Sequence, residues 1–139
     1  MNKKKIKVYT PTKKELENLW KEIIKAKAGY KSELSGIEGR QIGGSKSITA
    51  HHIVGKPNDI LRFLEFDNGI CLENESEHIY GVHNKNDVVR ARHYQDLIIA
   101  KIGQKRYDKL LMMRKQSSKK KTDLMAAKIF LQQELEKYK

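Results

Sequence analysis

Residues 47–83 read SITAHHIVGKPNDILRFLEFDNGICLENESEHIYGVH, and this stretch decides how the chain is built. Residues 47–53 are short and β-prone, which predicts a strand carrying His51 and His52. Gly55 and Pro57 break that strand. Residues 61–66 are apolar and charged by turns, and Asp67-Asn68-Gly69 is a strong turn signal. Residues 69–72 then predict the second strand of a hairpin. Asn74 with Glu77 three positions on has the spacing of a capped helix start, so a short helix carries His78 and stops at Gly81. Of the chain's five histidines, only His93 lies outside this stretch. Imidazole is a common ligand for divalent metals and titrates near neutral pH, so such a cluster could hold an ion and move a proton in one place.

Outward from this stretch the pattern is helical. Thr12-Lys13-Lys14-Glu15 has capping-box spacing, and Leu16, Leu19, Trp20, Ile23 and Ile24 fall on one helical face that ends near Gly29. Residues 29–46, rich in glycine and serine, read as an irregular loop. On the other side Tyr94, Leu97, Ile98 and Ile102 form one stripe, ended by Gly103. Tyr107, Leu110, Leu111 and Met113 form another. After the basic run RKQSSKKK at 114–121, Leu124, Ala127, Leu131, Leu135 and Tyr138 make a final amphipathic face. The fold class expected is α+β in a single, mainly helical domain. Its organisation is a basic arm over 1–12, a central domain over 13–116 with flanking helices, and a C-terminal amphipathic helix over 117–139.

Composition narrows the function. The formal charge is +12 over 139 residues, which favours a polyanionic partner, although solubility alone also produces such a balance. Lys3, Lys4, Lys5 and Lys7 precede any acid and read as an arm that touches phosphate or simply stays solvated. No run of 18 apolar residues exists, so no membrane span is expected, and the N-terminal stretch lacks the apolar core of a signal peptide. A soluble cytoplasmic protein fits these features, the host cytoplasm if the chain is phage-encoded. A single cysteine, Cys71, rules out an internal disulfide and a cysteine-based zinc finger; it reads as a core residue.

The segments HHI-GK-N (51–58), LRF (61–63), NGI-L (68–72) and H--GVH (78–83) together resemble the HNH endonuclease family, closest to its small phage-type members. The likeness covers roughly residues 30–115. It implies a ββα-metal motif, also called a His-Me finger. His51, His78 and His83 would be ligands of one divalent ion, of which magnesium, manganese, zinc, nickel and cobalt are all candidates. The resemblance makes His52 the general base that takes a proton from the attacking water, and Asn68 the residue that holds the base strand in place. Asn68 before a glycine is equally what an ordinary tight turn uses. Lys46, Lys56 and Arg62 are candidate phosphate contacts, Arg62 through a two-bond grip. The implied activity is hydrolysis of DNA phosphodiester bonds, in phage recombination, packaging or branched-DNA processing, with no small-molecule cofactor.

Departures from the family matter. Many relatives hold a structural zinc on two Cys-x-x-Cys pairs; here Ser32 and Ser35 stand at the first pair's positions, and Asn74 and Glu77 at the second's. Packing of the flanking helices would have to replace that zinc. The spacing from His78 to His83 turns an α-helix by about 140° net, so Gly81 should break the helix and His83 should come from beyond its end. Asp59, Glu73, Glu75 and Glu77 are oxygen donors by type but read as solvated, and His93 reads as a surface or packing residue. Trp20 and the final helix offer a face on which two copies could pair as a homodimer. Two rival functions are a non-catalytic nucleic-acid-binding module on the same scaffold, and a histidine metal-binding protein with no nucleic-acid role.

Overall fold

The computed structural model describes residues 9–39, 47–116 and 121–139. Helix α1 (Lys13–Lys27) is followed by strands β1 (Ile48–His52) and β2 (Gly69–Glu73), a π helix over Asn74–Val82, and helices α2 (Val88–Ile102), α3 (Gln104–Lys115) and α4 (Leu124–Glu136). Between the strands lie a π turn, Ile60–Leu64, and a 3-10 turn, Phe66–Asn68. The protein is thus α+β, mostly helical, with a small two-stranded antiparallel sheet. Ile48 pairs with Glu73 and His52 with Gly69, which sets the register of the hairpin. No helix among the described residues is long and apolar enough to cross a membrane.

Strand alternation sorts the sheet residues into two cores. Ala50 joins Leu16, Trp20, Ile23 and Ile24 of α1 and Ala127 and Leu131 of α4. Ile70 and Leu72 join Ile98 of α2 and Leu110 of α3. The final helix therefore shares a core with α1. Trp20 is fully buried there, which removes it from any pairing surface. Leu97, expected on the apolar stripe of α2, is exposed, while Ile98 is buried. Gly69 is needed where α1 crosses the sheet: a Cβ at this position would collide with Ile24 and sit 2.9 Å from the Trp20 ring.

Local chemistry explains where the elements start. Thr12 caps α1 by accepting from the Glu15 N–H at 3.1 Å. The Glu15 carboxylate does not complete the capping box; it accepts from the Tyr9 hydroxyl and the Lys128 ammonium, tying α1 to α4. The helix after β2 is capped by Glu73 rather than Asn74, its carboxylate accepting from the N–H groups of Glu75 and Ser76 at 3.0 and 2.6 Å. Glu73 and Glu77, expected to be solvated, are both buried. Gly81 does not break this helix. The His83 N–H donates to the His78 carbonyl at 2.9 Å, a bond spanning five residues as in a π helix. What Gly81 accommodates is α2, because an added Cβ would lie 2.8 Å from the Ser76 carbonyl and 3.1 Å from the Tyr94 ring.

Candidate functional site

His51 projects from β1 on the side opposite His52, and the π helix brings two more imidazoles to it. The ring centroids lie 5.4 Å from His51 to His78, 5.0 Å from His51 to His83 and 4.6 Å from His78 to His83, all edge-to-face. One ring nitrogen of each falls within 4.8 Å of the others, so this group could hold a metal ion. The five-residue hydrogen-bonded repeat is what makes this possible: it returns His83 to the face of His78, where an α-helix would turn it away. His51 is buried, His78 half-buried and His83 exposed, so the cluster opens to solvent at His83.

The electrostatics of the cluster suit a cation. Burial, and then the neighbouring imidazoles of His78, His83 and His52, push His51 down to about 3. Burial, then His83 and Lys21, push His78 to about 4. Both are neutral at physiological pH, the form that offers a lone pair to a metal. The buried His78 Nδ1 has no hydrogen-bond partner among the described residues. An unpaired buried nitrogen costs about 1–3 kcal/mol, and a bound ion would account for it. The donor set of three imidazoles suits the borderline metals zinc, nickel and cobalt better than magnesium or manganese.

On the other face of β1, His52 lies flat against the Trp20 ring, centroids 4.1 Å apart and 11° from parallel. Trp20 is itself held by donating Nε1–H to the Glu65 carbonyl at 3.0 Å. His52 Nε2 lies 2.8 Å from the Arg62 carbonyl oxygen. A carbonyl can only accept, so Nε2 carries the hydrogen and Nδ1 carries the lone pair. Burial lowers the His52 pKa below its ordinary value, opposed by the Arg62 carbonyl and the Glu17 charge. The ring is therefore held in one orientation and one tautomer, with a basic nitrogen available at neutral pH.

Asn68 fixes the loop that carries the Arg62 carbonyl. Fully buried, it accepts from the Val54 N–H at 3.1 Å and donates to the carbonyls of Gly55 and Leu61 at 3.0 and 2.9 Å. Its side chain spans the start and the middle of the β1–β2 connection, so it positions the loop rather than contacting the imidazole cluster. Lys56 and Arg62, read as phosphate contacts, both reach the Glu17 carboxylate, at 2.7 and 2.6 Å. Burial raises Glu17, but the hydrogen bonds from Lys56 and Arg62 outweigh it and leave the carboxyl at about 2. Lys46 lies outside the described residues, and His93 is exposed beside Tyr94.

Sequence reasoning missed Glu17, Lys21 and the stacking role of Trp20. The available signal was an acid at 17 amid the apolar face formed by Leu16, Trp20 and Ile24, since an unpaired carboxylate rarely survives there. Of Ser32, Ser35, Asn74 and Glu77, two meet. Ser32 Oγ donates to Glu77 Oε1 at 2.5 Å and accepts from the N–H groups of Leu34 and Ser35 at 3.1 Å each. Glu77 Oε1 also accepts from the Glu73 N–H at 2.7 Å. A hydrogen-bonded knot thus joins the loop before β1 to the helix that carries His78. Compared with family models, curated proteins and solved structures, the chain finds no match.

Proposed function

We propose that the protein is a metal-dependent DNA endonuclease of the HNH, ββα-metal type, with His52 as general base and His51, His78 and His83 as the ligands of one divalent ion. One observation carries the reading: consecutive residues of β1 face two different environments, one gathering three imidazoles, the other pinning a single imidazole in its basic tautomer. Hydrolysis needs both functions close together but not on the same nitrogen. The Nδ1 lone pair of His52 accepts a proton from water as the water oxygen bonds to phosphorus and the bond to the 3′ oxygen breaks. Trp20 and the Arg62 carbonyl keep that lone pair aimed, and Asn68 keeps the carbonyl in place. When bound, a divalent ion supplies Lewis-acid stabilisation of charge on the phosphate and the leaving oxygen. The net charge of +12 supports a DNA substrate gripped through its backbone without base reading.

The test is cleavage of supercoiled plasmid and of a four-way junction in magnesium, manganese, nickel or zinc, by wild type and His52→Ala. Nicking that depends on metal and falls by about 10²–10⁴-fold in the variant, with DNA binding retained, is the expected result. Equal cleavage by both proteins would remove His52 as the base. No cleavage with any metal, beside salt-sensitive DNA binding, would replace the enzyme with a nucleic-acid-binding module.

A further inference from the structure

Helix α1 lies outside the strand–loop–strand–helix unit, yet it furnishes the His52 face. Glu17 is fully buried on its apolar side, one residue from Leu16 and one turn from Trp20. Its Oε1 accepts from Lys56 Nζ at 2.7 Å and lies 3.5 Å from Lys21 Nζ, and its Oε2 accepts from Arg62 Nε at 2.6 Å. Three cations on one carboxylate leave two positive charges over. Neutralising a buried carboxylate requires only one. The surplus stands beside the half-buried imidazole of His52, and the side chains that carry it remain reachable, Lys21 one-third and Lys56 one-half exposed.

The arrangement also couples the cations to the base. Arg62 gives its side chain to Glu17 and its carbonyl to His52 Nε2, so one residue joins the two. Lys21, one turn along α1 from Glu17, is the most loosely held of the three cations, 3.5 Å from the carboxylate and one-third exposed. The chemistry that fits is a phosphodiester, a singly charged oxyanion with several acceptors for ammonium and guanidinium donors.

We infer that Glu17 is a positioning residue that gathers Lys21, Lys56 and Arg62 into a cradle for the DNA phosphate beside His52, with Lys21, the cation held most loosely, as a phosphate contact. This rests on the nuclease reading, but its first test does not require cleavage. Binding of a duplex oligonucleotide without metal is measured across a salt series for wild type, Lys21→Gln, Glu17→Gln and Glu17→Asp. Losing one phosphate contact should lower the slope of log K against log salt by about 0.9 in Lys21→Gln. Calorimetric affinity for nickel should be unchanged in that variant. In cleavage, Lys21→Gln should raise KM about tenfold with a smaller change in kcat, as for lost ground-state binding. Glu17→Gln should lower kcat at unchanged nickel affinity, and Glu17→Asp should restore part of it. A wild-type salt slope in Lys21→Gln overturns the cradle, and that variant decides alone if Glu17→Gln does not fold. Wild type that binds DNA but cuts none sinks the nuclease reading, while the Lys21→Gln slope still judges the cradle.

Discussion

On one side of β1, three imidazoles face each other, with two of them held uncharged; on the other, a carboxylate collects three cations around a fourth imidazole. The backbone between them is a single peptide unit, because His51 and His52 are consecutive and a strand sends neighbours to opposite faces. The first face suits a cation and the second an anion. Placing them on opposite sides of a strand gives the two tasks to different side chains, so the imidazoles that bind are not the imidazole that accepts a proton. Each face also has its own scaffold: the π helix supplies the first, and α1 supplies the second.

That separation can be broken by substitution. His78→Ala should abolish tight nickel or zinc binding, with a loss above about 1000-fold, since losing a group that merely orients a ligand already costs 10–100-fold. His52→Ala should leave metal affinity within about twofold of wild type, as expected of a residue outside the ligand shell. Isothermal titration of both variants compares the faces directly, and weak metal binding by His52→Ala would mean that they are not independent.

Acid separates the faces in a second way, read from chemical denaturation of the metal-free protein at several pH values. His51 and His78 have folded values of about 3 and 4, below the ordinary 6.5. The unfolded chain takes up protons first, so the stability they contribute is full above pH 6.5 and is lost as pH falls through 4 and 3. Glu17 is lowered from 4.5 to about 2, so its contribution is full above 4.5 and disappears as pH falls through 2. Its share is about 3 kcal/mol. Glu17→Gln should flatten the lower window and leave the upper one; His51→Gln should do the reverse. Identical pH profiles in the two variants would refute the division.

The smallest effect expected is at the helix that builds the imidazole face. Gly81→Ala places a methyl against the Ser76 carbonyl and the Tyr94 ring. It should cost about 1–3 kcal/mol by overpacking. Nickel affinity should fall as His78 and His83 shift, while the environment of Trp20, read by its fluorescence, stays as in wild type. A changed tryptophan signal with intact metal binding would place the strain on the wrong face.

Much of this was readable from residue order. Thr12 as a cap, the Leu16 to Ile24 stripe, the β1–β2 hairpin and the opposite faces of His51 and His52 all follow from local spacing, which backbone geometry enforces without distant contacts. The role of Asn68 was half legible: its place before Gly69 marked a turn, but its three cross-loop hydrogen bonds depend on where Val54, Gly55 and Leu61 come to lie. His83 was placed beyond a helix end because α-helical rotation separates it from His78. His83 is indeed the C-cap just past the helix, which runs through Gly81 to Val82; what the spacing did not reveal is the π register, in which the His83 N–H bonds to the His78 carbonyl.

By itself, then, the sequence determined the hairpin, the amphipathic helices, the basic balance and the two-sided presentation of His51 and His52. These are consequences of side-chain period and charge. Tertiary structure alone decided that His78 and His83 share a face, that Trp20 stacks on His52, and that Glu17 binds cations from 39 and 45 residues away. Such pairings have no local period to betray them. They form because a carboxylate or an imidazole taken out of water must find a partner wherever the folded chain brings one.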